Sequence, residues 1–66
     1  MSLKDERLRC GLTQEQVAEE FGITASAVSR WESGEMKPRA DKLLRLAELY
    51  GCSVETLLRG EHNDDT

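Results

Sequence analysis

The sequence predicts an all-α fold, a compact bundle of five short helices. Apolar residues recur at helical spacing in each successive segment. No segment alternates with period two over the length of a strand. Small polar residues that cap helix starts, and glycines that close helix ends, punctuate the chain at short intervals.

Each element follows from those marks. Ser2 caps a first helix running through Cys10, with Leu3, Arg7 and Cys10 on one stripe, Leu8 on its flank and Gly11 as the stop. Thr13 and Gln16 form a capping box for a second helix, 14–21, which turns Val17, Ala18 and Phe21 to one side before Gly22. The third helix, 24–33, starts at Thr24 and sends Ala27, Val28 and Trp31 inward. "EMKP" reads as a loop, because the residue before Pro38 is biased away from helix. A fourth helix, about 40–50, carries Leu43, Leu46, Ala47 and Tyr50, with Leu44 and Leu49 widening the stripe and Gly51 closing it. Ser53 caps a last helix, "VETLLR", ended by Gly60. That gives one domain over 1–60 and an acidic tail over 61–66, "EHNDDT", with no apolar residue and expected to be disordered.

Composition narrows the function classes. Sixty-six residues make one small domain, which hides roughly 60% of its unfolded surface. No apolar run approaches the ~20 residues of a membrane span, and the N-terminus carries no signal-peptide pattern, so a cytoplasmic location is expected. Cys10 and Cys52 lie outside any CxxC pair, and His62 is the lone histidine. Those ligands are too few and too badly spaced for a structural zinc, so no metal or cofactor is expected and both cysteines are read as reduced and packed. An enzyme is not expected either: no nucleophile is paired with a base, and no glycine loop would cradle a phosphate.

Gln14 to Ser33 has the form of a helix-turn-helix unit. Helices crossing after a tight turn need a small residue at the crossing, which Ala18 supplies. The turn needs a residue tolerant of positive φ, supplied by Gly22, and Val28 pins the second helix to the first.

These residues, "GLTQEQVAEEFGITASAVSRWESG", then "KP" and "LLRLAELYGCSVETLLRG", resemble the Cro- and repressor-type, or XRE-like, helix-turn-helix family. The resemblance runs from about Leu3 to Gly60. It implies a lambda-repressor-like DNA-binding domain of a prokaryotic or phage-encoded protein, whose third helix enters the major groove while the second crosses the phosphate backbone. Two positions depart from the family pattern. Glu6 stands where a leucine is usual, leaving Leu8 to take over its packing, and Arg39 stands where a small residue usually caps the fourth helix, so that this helix start is expected to fray.

The resemblance also assigns roles. Gln14, at the positive end of the second helix, falls on a phosphate-contacting position; the alternative is a solvated helix start. Ala25, Ser26, Ser29 and Arg30 form the outward face of the third helix, short enough for it to sink to the base edges. Arg30 can offer two parallel donors to guanine, Ser26 can donate or accept, and Ala25 can touch a thymine methyl. For the small residues the alternative is an ordinary exposed helix face. Lys37 and Arg39 fall where the family touches backbone or narrow minor groove, against the alternative of bases that only aid solubility. Arg7 and Glu32 match positions that form an ion pair between the first and third helices, and Trp31 is assigned to the core.

The expected function is therefore sequence-specific binding of double-stranded DNA by a transcriptional regulator of the repressor type. A homodimer on a near-palindromic operator is the expected assembly, with Val54, Leu57 and Leu58 on the last helix as its candidate surface. The net charge of −4 favours an alternative, a protein-interaction module such as an antitoxin or a regulator-binding subunit. The bases Arg30, Lys37, Arg39 and Lys42 do fall in one stretch, so the local field can still favour DNA, with modest affinity and shallow salt dependence. The chain is either a small regulator or the N-terminal domain of a larger one.

Overall fold

Short hydroxyl side chains open four of the helices in the computed structural model, which describes residues 2–61, with side chains described as far as Leu58. Helix α1 spans Leu3–Arg9, α2 Gln14–Phe21, α3 Ala25–Ser33, α4 Ala40–Tyr50 and α5 Val54–Glu61, with no strand among the described residues. Ser2 Oγ accepts from the Asp5 amide at 3.1 Å, and Thr24 Oγ1 from the Ala27 amide at 3.2 Å. Thr13 and Gln16 close a full capping box: Thr13 Oγ1 accepts from the Gln16 amide at 3.0 Å, and Gln16 Oε1 accepts from the Thr13 amide at 2.8 Å. Arg39 gives α4 no side-chain cap.

Three helices end with the same device, α1 at Gly11, where φ is 73° and Leu12 donates to the Arg7 carbonyl at 3.1 Å, and α2 and α4 likewise. Gly22 and Gly51 adopt left-handed φ angles of 67° and 68°, and each following residue folds its amide back onto the helix it has left. Ile23 donates to the Ala18 carbonyl and Cys52 to the Ala47 carbonyl, both at 3.0 Å. At Gly22 this reversal lets α3 leave α2 at once and pack across it.

The core draws on every helix. Val17, Ala18 and Phe21 of α2 and Val28 and Trp31 of α3 meet Leu43, Leu46, Ala47 and Tyr50 of α4, with Leu3 and Leu57 closing the ends. Phe21 and Trp31 pack edge to face, with centroids 5.7 Å apart and planes at 79°. Arg45 lies over the other side of the packing, its guanidinium carbon 4.4 Å from the Phe21 centroid, while Nη2 donates to the Glu20 carbonyl.

Several expectations change. Leu8 does not replace the missing leucine: it is 55% exposed, whereas Glu6 itself is buried to 2%. Position 6 of α1 faces the bundle, and the chain satisfies the carboxylate there by turning Arg9 back onto it. Arg9 Nε and Nη2 both donate to Glu6 Oε1, and Nη2 donates as well to the Tyr50 carbonyl at 3.0 Å. Leu44 is exposed and does not widen the α4 stripe, whereas Leu49 packs against the core. Gly60 does not end α5, which continues to Glu61. Cys10 is exposed with its thiol 3.4 Å from the Tyr50 carbonyl, so only the half-buried Cys52 packs inward. Burial, then the nearby Glu6, pushes the Cys52 thiol above its ordinary range, which disfavours its reactive thiolate. His62 and the tail beyond Glu61 lie outside the described residues.

The Glu6–Arg9 corner yields a test. Glu6→Leu removes a buried charge and fills the same space with apolar atoms, so its thermal midpoint, read from Trp31 fluorescence, is expected to equal or exceed that of the wild type. Arg9→Ala strands the buried carboxylate and should lower the midpoint. The reverse order would show that the Glu6 carboxylate itself holds α1 in place.

Candidate nucleic-acid interface

Helix α3 presents two unlike sides. Val28 and Trp31 are locked into the core, while Ser26, Ser29 and Arg30 are exposed on turns of the same helix. None of these exposed side chains has a hydrogen-bond or ion-pair partner among the described residues. Ala25 differs from its expected place: it is half-buried and packs against the core, so the bare face begins at Ser26. Ser33, one turn beyond Ser29, is tied down locally, donating to the Arg30 carbonyl at 3.2 Å and accepting from the Glu35 amide at 3.3 Å.

The base of α3 is fixed by charge. Arg7 Nε donates to Glu32 Oε2 at 2.6 Å, and Arg7 Nη2 to Oε1 at 3.2 Å, a two-pronged pair between α1 and α3. Both side chains are nearly excluded from water, at 8% and 5% exposure. Arg7 Nη1 also donates to the Leu12 carbonyl at 2.8 Å, which ties in the α1–α2 connection. The hydrogen bond to Glu32 raises the Arg7 pKa above its ordinary value, burial opposing it, so the guanidinium stays charged.

Gln14 joins this pair. It is half-buried, and its Nε2 donates to Glu32 Oε1 at 3.1 Å. An amide nitrogen carries two hydrogens, so one remains for an acceptor outside the protein. The capping box uses the amides of Thr13 and Gln16, which leaves those of Gln14 and Glu15 as open donors at the positive end of α2. Gln14 is thus both a strut on Glu32 and a donor at a helix start. Its helix position was legible in the sequence; its bond to Glu32 was not.

The charges separate into engaged and free. Arg7 and Arg9 are ion-paired, while Arg45 donates to the Glu20 backbone carbonyl and lies over the Phe21 ring. Lys4, Arg30, Lys37, Arg39 and Lys42 have no hydrogen-bond or ion-pair partner among the described residues. Lys37 and Arg39 are exposed in the loop after α3, whose start is anchored by the Met36 amide donating to the Arg30 carbonyl at 3.2 Å. Lys4 had no motif to mark it. It lines, with Gln14, Ser29, Glu32 and Ser33, an open cavity of about 250 Å³. A second cavity, about 260 Å³, lies away from α3 between Glu20, Phe21, Arg45, Glu48 and Leu49. No cluster of metal-ligating side chains occurs among the described residues, and none of their helices is long and apolar enough to cross a membrane.

This geometry, a buttressed second helix and a third helix with a bare outer face, coincides with a family match. A helix-turn-helix family model covers residues 3–57. The chain belongs to the XRE, or Cro/C1-type, helix-turn-helix family. It is 38% identical over 60 residues to the HTH-type transcriptional activator BcrR of Enterococcus faecalis, covering 88% of this chain and 29% of that protein. Identity to the HTH-type transcriptional regulator ImmR of Bacillus subtilis is 38% over 56 residues, covering 85% and 44%. Repressor protein C2 of Salmonella phage P22 is 29% identical over 59 residues, covering 89% and 27%. The chain spans less than half the length of each of these relatives. No solved structure matches it at a significant level.

Within this helix-turn-helix domain the Arg7–Glu32 pair should dominate the stability of the interface. Arg7→Ala leaves Glu32 with only the Gln14 amide, and is expected to cost about 3–5 kcal/mol in urea unfolding. A double-mutant cycle with Glu32→Gln should return a coupling above about 1 kcal/mol. Coupling near zero would reduce the pair to an ordinary surface contact.

Proposed function

We propose that the chain is a sequence-specific double-stranded DNA-binding domain of a transcriptional regulator, with α3 reading the major groove. The observation that carries this reading is the Ser26–Ser29–Arg30 face: exposed, unpartnered and short except for one arginine, on a helix held from behind by Val28, Trp31 and Glu32. Small side chains let a helix approach base edges closely, and one long donor can then reach guanine O6 and N7. Gln14 donates to a backbone phosphate through its free amide hydrogen and the open α2 amides. Lys37 and Arg39 add backbone or minor-groove contacts beyond α3. Ala25, half-buried, is left with at most a methyl contact to thymine.

One domain of this size reads few base pairs, so the regulator works as a homodimer on a near-palindromic operator with half-sites about one helical turn apart. Leu57 is fully buried and unavailable for pairing, while the exposed Leu58 and half-buried Val54 remain for that surface. The protein, prokaryotic or phage-encoded, acts in the cytoplasm without cofactor or catalytic activity, through residues 1–60.

Selection from random duplex DNA tests this reading, with Arg30→Ala run in parallel. The wild type is expected to enrich a roughly palindromic motif. The variant should relax one position of it, at about 1–3 kcal/mol of lost discrimination. The same motif at uniformly lower affinity would demote Arg30 to a phosphate contact. No enrichment at low salt, beside a stable complex with a protein partner, would establish the protein-interaction module instead.

A further inference from the structure

We infer that Lys4 extends the DNA-binding surface onto α1, where it contacts a backbone phosphate seated against the cavity it shares with Gln14 and Ser29. The inference rests on the DNA-binding reading above and adds a helix to it that the recognition unit itself does not contain.

The cavity, about 250 Å³, is walled by three helices: Lys4 from α1, Gln14 from α2, and Ser29, Glu32 and Ser33 from α3. Its one carboxylate is already neutralised. Glu32 receives two guanidinium donors from Arg7 and a third donor from Gln14, so both of its oxygens are engaged. Ser33 is likewise used up by its own helix end. What remains open is the Lys4 ammonium, the second Gln14 amide hydrogen and the Ser29 hydroxyl. All three can donate, and one carries a full positive charge.

Lys4 is also free to act. It is exposed, and no carboxylate among the described residues pairs with it; its sequence neighbour Asp5 points elsewhere on the helix, and Glu6 is held by Arg9. A lysine serves a phosphate as a point charge on a flexible stem, which suits a position one helix behind the groove. Ser29 and Gln14 both border the surface assigned to DNA, so a phosphate reached by Lys4 belongs to the duplex that α3 reads. Lys4 therefore positions the duplex without reading its sequence.

The test compares the wild type, Lys4→Met and Lys4→Arg on a duplex selected by the wild type, over a range of salt concentrations. Loss of one phosphate contact should make the slope of log affinity against log salt shallower by about 0.9. Over a fourfold rise in salt, Lys4→Met should then lose about 3.5-fold less affinity than the wild type. At low salt it should bind every operator variant proportionally more weakly, with the selected motif and the unfolding midpoint unchanged. Lys4→Arg should restore the wild-type slope. An unaltered slope in Lys4→Met, with wild-type binding intact, overturns the inference alone. An altered motif overturns the phosphate assignment in favour of a base contact. Failure of the wild type to bind any duplex overturns the DNA reading itself, and this inference with it.

Discussion

The carboxylate of Glu32 is the joint on which the recognition surface depends. One oxygen holds Arg7 Nε at 2.6 Å, and the other is shared between Arg7 Nη2 and the Gln14 amide. Three helices and the α1–α2 connection therefore meet at one ion pair. In a domain of 66 residues the apolar core is thin, and helices of seven to eleven residues have little stability of their own. A charged contact withdrawn from water is directional where apolar packing is not. It ties α3 to both α1 and α2 behind the face that carries Ser26, Ser29 and Arg30. Removing either partner would leave a buried charge behind, which makes the arrangement an all-or-none feature of the fold.

Much of this was legible in the sequence, and the legible part is the local part. Helix starts at Ser2, Thr13 and Thr24, and stops at Gly22 and Gly51, depend on atoms within a few residues, so spacing alone reveals them. The residues whose place differs from expectation depend on how the helices pack against one another. Glu6 reads as a poor fit whose packing passes to Leu8, whereas Arg9, one turn on, pairs with it and also donates to the Tyr50 carbonyl, 41 residues beyond Arg9. Leu8 and Leu44 sit on the edges of short apolar stripes, where a step of one residue turns a side chain by roughly 100° and decides between core and solvent. The same limit applies at the interface. The bare face of α3 could be read from residue size, whereas Lys4, two helices away in sequence, joins it only through the folded cavity.

The net charge of −4 looks at first like an argument against DNA. The structure reframes the question as one of which charges are free. Arg7 and Arg9 are neutralised by Glu32 and Glu6, and Arg45 is tied to the Glu20 backbone carbonyl and the Phe21 ring. The free bases are drawn from α1, α3 and the residues that follow α3, whereas Glu15, Glu19 and Glu20 are exposed along α2. On the proposed reading, a duplex at the third helix meets the first group. Docking depends on the field at the contact, which falls off within about 10 Å in ordinary salt, and much less on the sum over the molecule.

That distribution also bears on specificity. A surface crowded with bases binds any duplex, because phosphates are the same everywhere. In the proposed reading the helix that enters the groove carries one long cation, Arg30, beside the small neutral Ser26 and Ser29. Non-specific attraction is then kept low, and a larger share of the binding free energy is left to contacts that differ between base pairs. On that reading the exposed carboxylates of α2 would disfavour misdocked orientations, in which a wrong face meets the phosphates. Negative charge on such a protein is therefore compatible with DNA recognition. In the proposed reading it trades affinity for discrimination, with α3 tied to α1 and α2 through the hydrogen bonds that Glu32 accepts from Arg7 and Gln14.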